Sequence, residues 1–227
     1  MSKRSVIITA GGIGKRMNSE IPKQFHLVNG QPIIIKTIEV FYDFDPEIEI
    51  IIALPAQQIK VWEELTIQFH FSIPHKVVIG GKERFHSVQN ALTLCSGEFI
   101  AIHDAVRPFI SVNLIRRCFE GLKSHVAVVP VVELKDSIRV INYPNNKAVD
   151  RKLFRSVQTP QCFERTILML AYEQEFKNAF TDDASVVEQT GCEIFLVEGL
   201  SENIKITTPM DLQFANFLIS QIAITLG

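Results

Sequence analysis

The sequence predicts an α/β fold of three layers, αβα, in which a mostly parallel sheet carries helices on both faces and a β-hairpin arm projects from it. Three observations carry this prediction. Short apolar runs alternate with stretches of helical period along most of the 227 residues. The runs are too continuously apolar for strands with one wet face, so both faces of the sheet are covered. Between 134 and 160 the pattern changes to weakly alternating, polar sequence, which reads as a hairpin outside the core.

Taken in order, Ser5-Val6-Ile7-Ile8 is a buried strand, followed by the turn Thr9-Ala10-Gly11-Gly12-Ile13-Gly14-Lys15-Arg16-Met17. Gln31-Pro32 opens a helix through Phe41, because proline suits a first helical turn. Ile50 to Leu54 is a strand, 56–69 a helix, and Lys76-Val77-Val78-Ile79 a strand ending at Gly80-Gly81. Phe85, Val88, Ala91, Leu92 and Cys95 recur at helical spacing from Glu83 onward. The strand 99–102 delivers His103-Asp104 at its C-terminal end. Ser111 reads as the N-cap of a helix carrying Leu114, Ile115, Cys118 and Phe119. A strand over 126–130 follows, and then the arm: Ser137 to Ile141, the turn Tyr143-Pro144-Asn145-Asn146, and the charged run Asp150-Arg151-Lys152. The rest reads as a helix over 167–176, strands over 193–197 and 203–207, and a last helix opened by Thr208-Pro209-Met210-Asp211, with cap, proline and first-turn acid in their preferred places. The whole chain, 1–227, is expected to be one domain with its arm at about 134–158.

Composition narrows the function. A net charge of -2 gives no electrostatic case for nucleic acid. No apolar run reaches the ~18 residues of a membrane span, and Met1-Ser2-Lys3-Arg4 leads into a strand without a signal core, so a cytoplasmic protein is expected. The 4 cysteines are far apart, which points to free thiols rather than disulfides or a zinc site.

The first turn carries the chemistry. Three glycines bring backbone N–H groups close to a ligand, and Lys15 and Arg16 set two cations beside them, the make-up of a phosphate cradle. A glycine turn that packs a helix on a sheet would read the same way. The turn lacks the Gly-Lys-Ser/Thr ending of a P-loop. The second strand also ends without the acid of a dinucleotide fingerprint. In an open α/β sheet ligands sit at the C-terminal ends of strands, and further clusters fall there. Gly80-Gly81-Lys82-Glu83-Arg84, with Ser87 a turn beyond, suits close approach of a flat base or is an ordinary turn. Asp104 suits a magnesium ion shared with phosphate oxygens, or caps the next turn. Lys23 could follow charge on transferring phosphates, or be a solvated surface lysine. Thr181-Asp182-Asp183 reads first as a helix N-terminus, and Lys205 stands opposite the apolar face of its strand.

As a set, Ala10-Gly11-Gly12-Ile13-Gly14-Lys15-Arg16-Met17, Pro22-Lys23-Gln24-Phe25, Gly80-Gly81 with Arg84 and Ser87, His103-Asp104-Ala105 with Arg107-Pro108, Thr159-Pro160-Gln161, Thr181-Asp182, and Val197-Glu198-Gly199 with Asn203-Ile204-Lys205 resemble the 2-C-methyl-D-erythritol 4-phosphate cytidylyltransferases over about 5–211. The resemblance implies a Rossmann-like nucleotidyltransferase fold and transfer of a cytidylyl group from CTP to a polyol phosphate, with Mg2+. Ribitol 5-phosphate enzymes look similar, and a catalytically silent nucleotide-binding subunit on the same fold is a rival from another class. By position, Arg16, Lys23 and the Gly11, Gly12, Gly14 and Lys15 backbone would hold the triphosphate. Ala10, Gly81 and Ser87 would read cytosine. Lys205 would contact the α-phosphate region, and Arg16, Lys23 and Lys205 form the catalytic set. Asp104 would hold magnesium, and Asp104, Arg107, Thr181 and Asp182 would face the acceptor. In similar enzymes an arm from a second subunit completes that site, which places Ser137 and Arg151 there and implies a homodimer. Lys82, Ser137 and Asp183 stand where relatives carry Asp, Thr and Glu. No general base is required, because a phosphate monoester, with a second pKa of about 6, is already largely dianionic at neutral pH.

Overall fold

Continuous β-branched sequence builds the sheet from its centre outward. The computed structural model describes residues 3–12, 17 and 19–226. In chain order these form β1 (Arg4–Thr9), β2 (Leu27–Val28), β3 (Gln31–Pro32), α1 (Ile33–Phe44), β4 (Glu49–Leu54), α2 (Ile59–Gln68), β5 (Lys76–Ile79), α3 (Arg84–Leu92), β6 (Phe99–Asp104), α4 (Val112–Gly121) and β7 (Ala127–Glu133). They continue as β8 (Ile138–Asn142), β9 (Asn145–Val149), β10 (Arg155–Val157), β11 (Gln161–Glu164), α5 (Arg165–Ala171), α6 (Asp183–Glu188), β12 (Phe195–Glu198) and α7 (Pro209–Leu226).

The main sheet runs β10-β7-β11-β6-β1-β4-β5, with β12 added on β7. β1 pairs in parallel with both β4 and β6, and β5 extends β4 in parallel. β11 lies antiparallel between β6 and β7, and β10 is antiparallel to β7. Alternate residues of β1 face opposite layers. Val6 and Ile8 pack with Ile34, Ile38 and Phe41 of α1, Trp62 of α2 and Leu114 and Cys118 of α4. Ile7 packs with Val88 and Ala91 of α3, Leu168 of α5 and Val187 of α6. Burying each such side chain contributes about 1.5–3 kcal/mol, which offsets the entropy of ordering the strand. The three layers are therefore those expected.

The connection from β1 through β4 and β5 runs to one side, and β6 then returns to the other side of β1. This reversal is the switch point at which an open α/β sheet leaves a crevice beyond its carboxyl ends. Register sets the crevice floor, because Thr9 stands opposite Asp104 on one neighbour and Ala53 on the other.

The caps are formed as read: Ser111 Oγ accepts the Leu114 N–H at 3.1 Å, and Asp211 Oδ2 accepts the Thr208 N–H at 2.8 Å. The hairpin β8–β9 is a separate two-stranded sheet. Several expectations are corrected. Residues 203–207 join no ladder, although Ile206 N–H donates to the Val106 carbonyl at 2.9 Å, so Lys205 projects from extended loop rather than strand. The helix expected over 167–176 ends at Ala171, where backbone bonds from Tyr172 and Glu173 close its last turn. Pro32 pairs with Leu27 in β3 instead of starting α1, and residues 56–58 form a 3-10 turn ahead of α2. β12 is shifted to Phe195–Glu198 by its register with β7, and β7 continues through Pro130 to Glu133.

Candidate active site

Two glycine turns and two strand ends converge beyond the switch point. The turn after β1 leaves the sheet with Ala10 N–H donating to the Ala53 carbonyl at 3.0 Å, and the turn after β5 does so with Gly80 N–H donating to Leu54 at 2.8 Å. Ser87, on α3, bridges the second turn: its Oγ accepts the Gly81 N–H at 3.0 Å and donates to the Glu83 carbonyl at 3.2 Å. Both glycines there are sterically required. A Cβ at Gly80 would come within 2.9 Å of Ser87 Oγ, and one at Gly81 within 2.2 Å of His86 Cβ. Gly12 makes room for Lys23, whose Cε and Nζ would each lie 2.8 Å from a Cβ placed there.

These groups line a cavity of about 240 Å³ that brings together Ala10, Gly11, Gly12, Lys23, Gly81, Ser87, Asp104 and Lys205. A second cavity, of about 300 Å³, is lined by Arg107, Thr181 and Asp182. Arg84, Asp104 and Lys205 line both. Gly14, Lys15 and Arg16 lie outside the described residues. Ser137 is exposed on the arm. Arg151 lines a different groove with Glu133 and Glu198, and its guanidinium bonds the Lys135 carbonyl. Among the described residues, one chain thus brings together the expected nucleotide and acceptor residues except Ser137 and Arg151.

Asp104 is the electrostatic centre. Its Oδ2 lies 3.0 Å from Arg107 Nε and 3.0 Å from Lys205 Nζ, and its Oδ1 lies 3.9 Å from Arg84 Nε. Burial alone would raise the carboxyl's pKa, but the charges of Lys205, Arg84 and Arg107 outweigh it and hold the group well below the usual carboxylate range. Arg107 also donates to the Asn203 carbonyl at 2.7 Å, which ties the Lys205 segment to β6. His103 is no base: burial pushes its imidazole down to about 3. Both ring nitrogens are engaged, Nδ1 at 3.0 Å from Thr159 Oγ1 and Nε2 at 3.2 Å from the Arg107 carbonyl oxygen.

Asp182 caps α6 by accepting the Ser185 N–H at 2.9 Å, and accepts from Gln161 Nε2 at 2.7 Å. Asp183, whose role the sequence left open, is fully buried and pairs with Arg84 through both oxygens, at 2.6 and 2.7 Å. Arg84 was legible as the cation that follows the second glycine turn and as one residue of the resemblance, with no role assigned to it. Its place in both cavities comes from Asp183, 99 residues away.

Among the described residues no three His, Cys, Asp or Glu side chains cluster to hold a metal ion. Asp104 Oδ1, less engaged than Oδ2, offers one carboxylate oxygen beside the glycine turns. That donor set fits a magnesium ion that keeps waters and phosphate oxygens as its other ligands.

The chain is similar to known proteins over nearly its whole length. The profile of the family described as 2-C-methyl-D-erythritol 4-phosphate cytidylyltransferase matches residues 5–221. A relative of that description from Phocaeicola vulgatus is 48% identical over 217 residues, covering 95% of this chain and 99% of its own. The crystal structure of 4-diphosphocytidyl-2C-methyl-D-erythritol synthase from Anaerococcus prevotii superposes with a TM-score of 0.82 at 27% identity, covering 96% and 99% of the two chains. The Francisella tularensis 2-C-methyl-D-erythritol 4-phosphate cytidylyltransferase does so with a TM-score of 0.79 at 31% identity, covering 95% and 99%.

Proposed function

We infer how the site works from one premise: this chain belongs to the 2-C-methyl-D-erythritol 4-phosphate cytidylyltransferase family. It is a nucleotidyltransferase that moves the cytidylyl group of CTP onto the phosphate of 2-C-methyl-D-erythritol 4-phosphate, in isoprenoid precursor synthesis. The observation that carries the mechanism is the wall of Arg84, Asp104 and Lys205 shared by the two cavities. Group transfer between two bound molecules needs the reacting centre at such a boundary.

CTP occupies the glycine-lined cavity, with its base against Ala10, Gly81 and Ser87 and its triphosphate along Gly11, Gly12 and Lys23. Gly14, Lys15 and Arg16, outside the described residues, are assigned to the same triphosphate by the sequence resemblance. The acceptor occupies the second cavity, against Arg107, Thr181 and Asp182. An oxygen of its phosphate forms a bond to the α-phosphorus of CTP, the bond from that phosphorus to the bridging oxygen breaks, and pyrophosphate leaves with the electron pair. The neutral, fully engaged His103 is not needed as a base, because the attacking phosphate is largely dianionic. Catalysis is then positioning and charge stabilisation by Lys23, Lys205 and Arg16. Asp104 holds Arg107 and Lys205 in place by charge. Asp104 Oδ1 would be the protein ligand of a Mg2+ ion, which would supply neutralisation of charge on the phosphates.

The chain works as a cytoplasmic homodimer, with the 134–158 arm reaching a second copy so that Ser137 and Arg151 complete the partner's acceptor site. The exposure of Ile141 (68%), Tyr143 (92%) and Leu153 (81%) on and beside the hairpin supports this reading.

The test is magnesium-dependent pyrophosphate release from CTP, with methylerythritol phosphate and ribitol 5-phosphate as parallel acceptors. Release with the first alone is expected, and release with the second alone would overturn the acceptor assignment. Lys23→Ala should lower kcat at least ~100-fold while CTP affinity falls far less, by the logic of a group acting mainly on the transition state. Near-normal turnover would remove Lys23 from the catalytic set.

A further inference from the structure

Arg84 is held by more structure than a cavity lining requires. Its guanidinium meets both oxygens of Asp183 as a fork, at 2.6 and 2.7 Å, which fixes the plane of the group as well as its place. Asp183 Oδ1 also accepts the hydroxyl of Tyr172 at 2.6 Å. Tyr172 is in turn locked from two sides by the helix that carries Arg84. Its ring stacks on Phe85 at 4.7 Å, and its carbonyl accepts from Gln89 Nε2 at 2.8 Å. Phe180 closes the far side of Phe85 at 5.6 Å. The chain of contacts therefore leaves α3, passes through the end of α5 and the start of α6, and returns to the first residue of α3.

Only Arg84 in this loop lines both cavities. A guanidinium has five N–H donors: Asp183 takes two, Nε faces Asp104 Oδ1 at 3.9 Å, and two are left for ligands. We propose that Tyr172 is a positioning residue for the transfer step: through Asp183 it orients the Arg84 guanidinium toward phosphate oxygens where the two cavities meet. The proposal rests on the reading of the two cavities given above. The Tyr172 hydroxyl keeps its proton at any working pH, because burial and the Asp183 charge push its pKa well above the usual value.

The experiment is a double-substitution cycle read by single-turnover and steady-state rates, with melting temperatures alongside. Tyr172→Phe removes one hydroxyl and keeps the stacked ring. It should lower kcat about tenfold, the scale of a sub-ångström loss of alignment, with KM for CTP changed less than about twofold. In an Arg84→Lys background, where no fork exists to orient, Tyr172→Phe should change the rate less than about twofold. Full kcat in Tyr172→Phe, or the same fractional loss in both backgrounds, overturns the proposal and leaves a packing role. Asp183→Asn supplies a second reading, and should cost at least as much rate as Tyr172→Phe. A wild-type enzyme that releases no pyrophosphate from CTP and methylerythritol phosphate overturns the cavity reading and this proposal together.

Discussion

Asp104→Asn gives the sharpest test of the site's electrostatics. The substitution preserves shape and removes one negative charge from among three cations at 3.0, 3.0 and 3.9 Å. Two unit charges 3.0 Å apart attract by about 5–6 kcal/mol at an effective dielectric constant of ~20. Breaking a buried pair costs about 3–5 kcal/mol, because the remaining charge stays desolvated. Lys205 is 39% exposed and the cluster borders a cavity, so water recovers part of this. A net loss of about 3 kcal/mol lowers Tm by roughly 6–12 °C for a chain of this size. The freed cations form a stronger anion site. Metal-free pyrophosphate at ~100 times its Kd should therefore return about 2.7 kcal/mol to the variant, and less to the wild type, where Asp104 repels it. The sign with pH follows from the depressed pKa of Asp104. Its stabilisation is complete above the unfolded carboxylate's pKa of about 3.9 and is lost as pH falls toward the folded value. The gap between wild type and variant must then narrow below about pH 4. Thermal unfolding from pH 7 to pH 3, with and without pyrophosphate, measures all three effects. An unchanged Tm at pH 7, or equal pyrophosphate stabilisation of both proteins, would refute the reasoning.

Four further outcomes are expected. A methyl at Gly11 meets nothing nearer than Ser87 Oγ at 3.6 Å, so Gly11→Ala should keep Tm within about 1 °C while raising KM for CTP at least ~10-fold. Gly81→Ala, with its 2.2 Å clash, should also lose about 1–3 kcal/mol of stability by calorimetry. At the opposite end of the sheet, burial would raise the Glu49 carboxyl, but bonds from Lys76, Ser5 and the Ser96 N–H bring it down to about 2. Glu49→Gln should thus lower Tm at neutral pH, with the difference fading between about pH 4.3 and pH 2 and kcat unaffected. Ile141→Asp on the arm should convert a dimer to monomer by light scattering and lower turnover with the melting temperature held. A monomeric wild type would remove the arm from the mechanism.

Much of the frame was legible in the residues because its signals are local. The apolar runs of β1, β4, β5 and β6, the glycine turns after β1 and β5, and the caps at Ser111 and Thr208 each lie within a few residues of sequence. β11 was not legible. Gln161-Cys162-Phe163-Glu164 is short, and its antiparallel place between β6 and β7 depends on both neighbours. The strand expected at 203–207 failed because Asn203 Nδ2 bonds the Thr159 carbonyl at 2.8 Å and Ile206 bonds Val106, partners that no alternation pattern encodes.

The sequence by itself determined the layer architecture, the glycine-rich turns and the inventory of charged side chains, since periodicity and steric rules act over short distances. Only the tertiary structure decided which charges neutralise one another. Arg84 and Asp183 could equally have been solvated surface residues. They pair because strand order brings the start of α3 against the start of α6, where Asp183 is fully buried and a lone carboxylate would be too costly to leave unpaired.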